Sequence, residues 1–254
     1  MPIHIETTGS GRDLVLLHGW GMHGGVWNPV KSLLAEHFRL HLIDLPGFGY
    51  SAEAMSEPYA MPHLVEQMMQ KVPHKILLCG WSLGGQIAMQ WALQQPEQLE
   101  QLILVSATPK FVNSADWELG IQQQVFDQFA DGIQNNYQPA MTRFLTLQAQ
   151  GGDDSRETVR ELKQHFFKRP APALPALAAG LDLLQNNDLR HAVDAIKVPA
   201  LMLHGERDRI VPSVAGEWLA AKMNTVLEVQ KNASHAPFLS HPHWFAETLI
   251  RHMQ

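Results

Sequence analysis

Short apolar runs punctuate this chain, and stretches with helical spacing separate them. Residues 14–17, 40–43, 76–79 and 102–105 form a first group of such runs; residues 200–203 and 226–229 form a second. Uninterrupted apolar runs of this length suit strands covered on both faces. Their alternation with helical sequence predicts a mostly parallel, twisted sheet with helices on both sides, an α/β class. A helix is predicted over about 83–95, stopped by Pro96, and a closing helix over about 243–253. Between the two groups the pattern changes. From about 111 to 187 the sequence is Gln-rich and amphipathic, broken by Gly151-Gly152-Asp153-Asp154-Ser155 and by Arg169-Pro170-Ala171-Pro172. This reads as a helical cap inserted after the fourth strand, dividing the chain into a first core part (1–110), the cap (111–187) and a second core part (188–254).

Composition narrows the picture. With 254 residues, 45% of them hydrophobic, the chain can build one large core. No apolar run approaches the 18 or so residues of a membrane span, and the first residues lack the basic and apolar regions of a secretory signal. A cytoplasmic location is therefore expected. The single cysteine, Cys79, lies in a predicted strand and reads as a packed thiol. A net charge of −6 argues against generic binding to nucleic acid or anionic membranes. The 14 histidines are scattered, without H-E-x-x-H or C-x-x-C spacing, so no metal or cofactor is expected.

Candidate chemistry centres on Gly80-Trp81-Ser82-Leu83-Gly84, directly behind the 76–79 run. A strand that ends in G-x-S-x-G and turns into a helix forces its serine into a strained, projecting geometry. Ser82 is thus a candidate nucleophile, and it needs a base and an acid to orient the base. The run 200–203 is followed by His204-Gly205-Glu206-Arg207-Asp208, which makes Asp208 the better acid and Glu206 its competitor. The run 226–229 leads to Ala233-Ser234-His235-Ala236, which places His235 before the closing helix as the base. His18, His204 and His241 are weaker candidates. An oxyanion hole needs backbone N–H donors: Leu83 follows the nucleophile, and Trp20 sits between glycines in His18-Gly19-Trp20-Gly21. His18 is expected to brace that loop rather than react.

The whole chain resembles the α/β-hydrolase superfamily. Leu-Leu-His-Gly-Trp-Gly at 16–21, His-Leu-Ile-Asp-Leu-Pro-Gly-Phe-Gly-Tyr-Ser at 41–51, Gly-Trp-Ser-Leu-Gly-Gly at 80–85, Arg-Phe-Leu-Thr-Leu-Gln at 143–148 and Ala-Ser-His-Ala-Pro-Phe-Leu-Ser-His-Pro at 233–242 are similar to the carboxylesterases of biotin synthesis. That resemblance implies hydrolysis of the methyl ester of a pimeloyl chain on acyl-carrier protein, with Ser82, Asp208 and His235 as the triad. It implies Trp20 and Leu83 at the oxyanion, and Phe144, Leu145, Thr146, Leu147 and Gln148 along the acyl channel. Acyl-carrier protein is acidic, so a basic patch is expected on the cap. Arg143, Arg156, Arg160, Lys163, Lys168 and Arg169 supply it, with Arg156, Arg160 and Lys163 spaced for one helix face and Glu157 and Glu161 interleaved. The chain is expected to act as a monomer. A general short-chain esterase, a carbon–carbon bond hydrolase and a catalytically silent receptor of the same fold are the alternatives. A dehalogenase would carry aspartate at position 82.

Overall fold

A computed structural model describes residues 2–253 apart from Ser56, Asp154 and Phe167. The predicted runs all become strands of one seven-stranded sheet. In chain order these are β1 (Ile5–Thr8), β2 (Arg12–Leu17), β3 (Phe38–Ile43), β4 (Ile76–Trp81), β5 (Leu99–Val105), β6 (Ala200–Gly205) and β7 (Val226–Gln230). Their order across the sheet is β1-β3-β2-β4-β5-β6-β7, parallel throughout except for β1, which runs antiparallel to β3. β1 is the strand that the pattern did not predict: it is four residues long, sits on the edge and is only partly buried. The central strands match their composition. Leu14 to Leu17 and Ile76 to Cys79 are fully buried, each large apolar side chain contributing on the order of 2 kcal/mol by leaving water.

Helices α1 (Asn28–Ala35), α2 (Met61–Met69), α3 (Leu83–Gln94), α8 (Ser213–Met223), α9 (Pro237–Ser240) and α10 (Pro242–Met253) cover the two sides of the sheet; α1 packs on α10 and α3 on α2. Between β5 and β6 come α4 (Gln123–Asn135), α5 (Tyr137–Ala149), α6 (Ser155–Phe166) and α7 (Leu174–Asn186). No described helix is long and apolar enough to cross a membrane.

This topology places the site. β2 lies between β3 and β4, so the chain leaves β2 to one side and later returns on the other. The loops after β2 and β4 therefore part company at the carboxyl ends of adjacent strands, where open α/β sheets form their binding crevice. Leu17 is registered opposite Gly80, which sets the loop beginning at His18 beside the turn at Ser82.

Candidate active site

β4 ends at Trp81, α3 begins at Leu83, and Ser82 alone makes the turn, at φ 56° and ψ −117°. An L-residue adopts such a backbone only when its surroundings impose it. Three close approaches impose it here. A Cβ on Gly80 would lie 2.2 Å from Gly84 O, one on Gly84 2.5 Å from Leu17 O, and one on Gly85 2.5 Å from the Ala107 Cβ. Ser82 N–H donates to Val105 O on the neighbouring strand, at 3.0 Å. The N–H groups that open a helix have no carbonyl behind them, and Leu83 N–H has no partner among the described residues.

The loop after β2 runs against this turn. A Cβ on Gly19 would sit 3.2 Å from the Ser82 Cβ and 3.1 Å from the Trp81 ring, so any side chain there would press on both. Trp20 N–H likewise has no partner among the described residues. His18 is wholly buried and braces the loop, as expected. Leu45 N–H donates to its Nε2 at 2.9 Å, which leaves Nδ1–H to donate to Gly19 O at 2.8 Å. Burial holds the His18 pKa down to about 4, against a smaller upward pull from Asp44, so the ring is neutral and keeps this tautomer.

Asp208 and His235 meet as the sequence suggested, with His235 Nδ1–H donating to Asp208 Oδ2 at 2.8 Å. Both are buried. The other carboxylate oxygen accepts the N–H groups of Ile210 and Val211, each at 2.9 Å. Burial alone would raise the Asp208 pKa. The neighbouring His235 and the hydrogen bonds from His204 and His235 outweigh it and hold the group well below the usual carboxylate range. His204 is thus not a base but a support: its Nε2 lies 2.8 Å from Val211 O and 3.4 Å from Asp208 Oδ2. Glu206 is turned away and accepts Asn232 N–H; His241 pairs with Ser240. Cys79 is buried in β4, with its thiol pKa pushed up by burial.

The peptide of His235 is held from two sides. Trp81 Nε1–H donates to its carbonyl at 2.8 Å, and its N–H donates to Gln148 O, from α5, at 3.0 Å. The expected channel residues occupy one continuous helix, and a helix cannot turn five consecutive side chains to one side. Phe144 points inward and meets Trp20 edge-on, with ring centroids 5.1 Å apart. Gln148, one turn later, is fully buried, and no partner of its side-chain amide occurs among the described residues. Leu145 is buried in the core, whereas Thr146 and Leu147 lie on the exposed side.

Two residues that sequence reasoning missed complete this aromatic wall. Phe129 of α4 stacks on Phe144 at 5.1 Å and meets Trp20 edge-on at 5.3 Å. Gly180 of α7 lets the Trp20 ring lie against the helix backbone, where Trp20 Nε1–H donates to Leu177 O at 3.0 Å. The helical spacing of Phe126 and Phe129 was visible, but which of the two faces the site depends on how α4 is rotated.

Phe129 and Arg143 line a cavity of about 160 Å³ between α4 and α5. Arg143 also joins Arg156 along a larger groove of about 610 Å³ between α5 and α6, with Thr142, Thr146 and Leu147. Arg160 is exposed one turn beyond Arg156 and pairs with Glu157; Lys163 is half-buried and Lys168 exposed. Arg169 departs from the expected patch. Its side chain is only 8% exposed and forms ion pairs with the buried Asp44 and with Glu6, so it cannot offer its charge to a partner.

Comparison with known proteins shows the family and the fold. The sequence profile of the alpha/beta hydrolase family matches residues 14–248. Pimeloyl-[acyl-carrier protein] methyl ester esterase of Nitrosospira multiformis is 41% identical, with 98% of this chain and 97% of the relative covered. The enzyme of that name from Aeromonas salmonicida is 43% identical, with 97% of each covered. Among solved structures, an esterase from Exiguobacterium antarcticum superposes with a TM-score of 0.89 at 24% identity, covering 98% of this chain and 94% of that one. An enol-lactonase from Burkholderia xenovorans reaches 0.82 at 22%, covering 98% and 95%. At these identities the two structures speak for the fold alone.

Proposed function

Because the chain belongs to the alpha/beta hydrolase family, and within it to the pimeloyl-[acyl-carrier protein] methyl ester esterases, we propose that it hydrolyses the methyl ester at the far end of a pimeloyl chain carried on acyl-carrier protein. The products are methanol and the free carboxylate, still joined to its carrier, in biotin synthesis. The observation that carries the chemistry is the buried His235–Asp208 pair, whose histidine carbonyl is bonded by Trp81, the residue before a serine held at φ 56°.

In this reading Asp208 fixes the His235 tautomer, leaving Nε2 as the base. Ser82 Oγ attacks the ester carbonyl while Nε2 takes its proton, and the oxyanion receives the N–H groups of Trp20 and Leu83. Collapse returns the proton to the methoxy oxygen, which leaves as methanol. The pimeloyl chain is then an ester of Ser82. Water, deprotonated by His235, adds to that ester, and the serine leaves with the proton.

The substrate assignment draws on the names of the relatives and on the shape of the approach. Trp20, Phe129 and Phe144 form an apolar wall suited to a methylene chain, and Arg143 stands where the outer groove meets the cavity beside Phe129. The carrier would dock on Arg143, Arg156, Arg160 and Lys163, with residues 111–187 acting as the cap. We further propose a cytoplasmic monomer, and a channel role for the buried Gln148 beside that of Phe144.

A serine-reactive fluorophosphonate is expected to label the protein but not Ser82→Ala; labelling of the variant would end the triad assignment. Turnover of methyl pimeloyl-acyl-carrier protein is expected to exceed that of short p-nitrophenyl esters. The reverse preference would leave a general esterase instead.

A further inference from the structure

The loop that carries Trp20 is tied down at both ends by two consecutive residues following β3. At its start, Leu45 N–H meets His18, and His18 meets Gly19 O. At its other end, Gly24 N–H donates to Asp44 Oδ1 at 2.7 Å. Asp44 is fully buried, and its second oxygen accepts Tyr50 N–H at 2.8 Å. A carboxylate so far from water needs an opposite charge beside it.

That charge comes from outside the sheet. Arg169 lies in the connection between α6 and α7. Its Nη1 donates to Asp44 Oδ1, its Nη2 donates to Glu6 Oε2 at 2.7 Å, and its guanidinium lies 5.1 Å from the centre of the Tyr50 ring. We propose that Arg169 is a positioning residue for ester hydrolysis: from the helical insertion it pairs with Asp44 and holds it in place, and through Gly24 and His18 it sets where the Trp20 N–H points. The inference rests on the reading of Trp20 as an oxyanion donor.

The physical chain is short. Without the guanidinium, Asp44 loses the partner that fixes its Oδ1, and the hold of that same oxygen on Gly24 N–H weakens. Asp44 also acts on His18 without the opposing field of Arg169; Asp44, His23 and Arg169 are the charged or titratable groups that bear on that ring. A protonated His18 has no lone pair for Leu45 N–H, so the start of the loop loosens as well. The connection itself stays attached, because Ala173 N–H also donates to Gly47 O at 2.9 Å. The effect should therefore fall on the rate of chemistry rather than on seating of the insertion.

The test compares Arg169→Met, Arg169→Lys and the double variant Asp44→Asn with Arg169→Met, using a p-nitrophenyl ester and hydrogen exchange over residues 18–25. Arg169→Met is expected to lower kcat roughly tenfold to a hundredfold, the scale of a misplaced catalytic group. KM should stay within about a factor of two, and exchange across the loop should quicken. Arg169→Lys should restore most of kcat, and the charge-free double variant should exceed Arg169→Met. If Arg169→Met does not fold, the same split is read on Arg169→Lys against wild type, as a smaller loss confined to kcat. Unchanged exchange would overturn the tie itself. Quickened exchange with kcat intact would also overturn the proposal, and would place the fault in the oxyanion role of Trp20. A rise in KM at constant kcat would reduce Arg169 to an anchor of the insertion.

Discussion

His18 shows how much a single buried side chain can carry. Its two ring nitrogens join Leu45 N–H to Gly19 O, an arrangement only the neutral ring can make. The folded chain holds its pKa near 4, below the ordinary 6.5, so the unfolded chain binds the proton first. Stability from this group is complete above pH 6.5 and is lost as the pH falls from there to about 4, a change on the order of 3 kcal/mol. Thermal melts across that window should show the decline. His18→Gln, which offers one donor and one acceptor but does not titrate, should flatten it. The proposed nucleophile, acid and base stood out in the sequence because each is a residue of distinctive chemistry directly behind an apolar run. The supports of those residues were not. His204, Asp44 and Arg169 act through contacts between segments far apart in sequence, and no local spacing announces them.

At the level of elements, the central strands were legible because burial on both faces leaves a continuous apolar signature. β1 was not, since an edge strand of four residues needs no such run. The insertion was legible as helices but not in its rotation. That rotation brings Phe129 and Phe144 to Trp20 and leaves Thr146 and Leu147 outside. At Gly180 α7 lies close against Trp20: a Cβ there would lie 2.8 Å from Trp20 Cδ1. Gly180→Ala must therefore displace the indole and strain its bond to Leu177 O, and is expected to carry the backbone of the Trp20 N–H with it. A kcat loss of roughly tenfold is expected, with a change in tryptophan fluorescence and a melting temperature lowered by a few degrees. An unchanged kcat would show that the indole and the backbone of residue 20 move independently.

For the whole molecule, the charge distribution matters more than its sum. The net charge is −6, yet Arg143 and Arg156 share one groove on the helical insertion, with Arg160 a turn away. If an acidic carrier docks there, Arg156→Glu with Arg160→Glu should lower kcat/KM for the carrier-bound ester by tenfold or more at low ionic strength. The loss should shrink as salt is added, and turnover of a small neutral ester should be unaffected. Equal turnover of the carrier substrate by wild type and variant at low salt would remove that surface from the docking site.

The bond from His235 N–H to Gln148 O has a consequence of a different kind. It makes the helical insertion part of the scaffold of His235, the proposed base, not an interchangeable module set upon a finished hydrolase. Exchanging residues 111–187 for the insertion of a relative would preserve the proposed triad in sequence and still strip the His235 peptide of one of the two hydrogen bonds that hold it. A chimera should therefore work only when its donor segment presents a carbonyl at the place of residue 148, and its specificity cannot be traded without also wagering its rate.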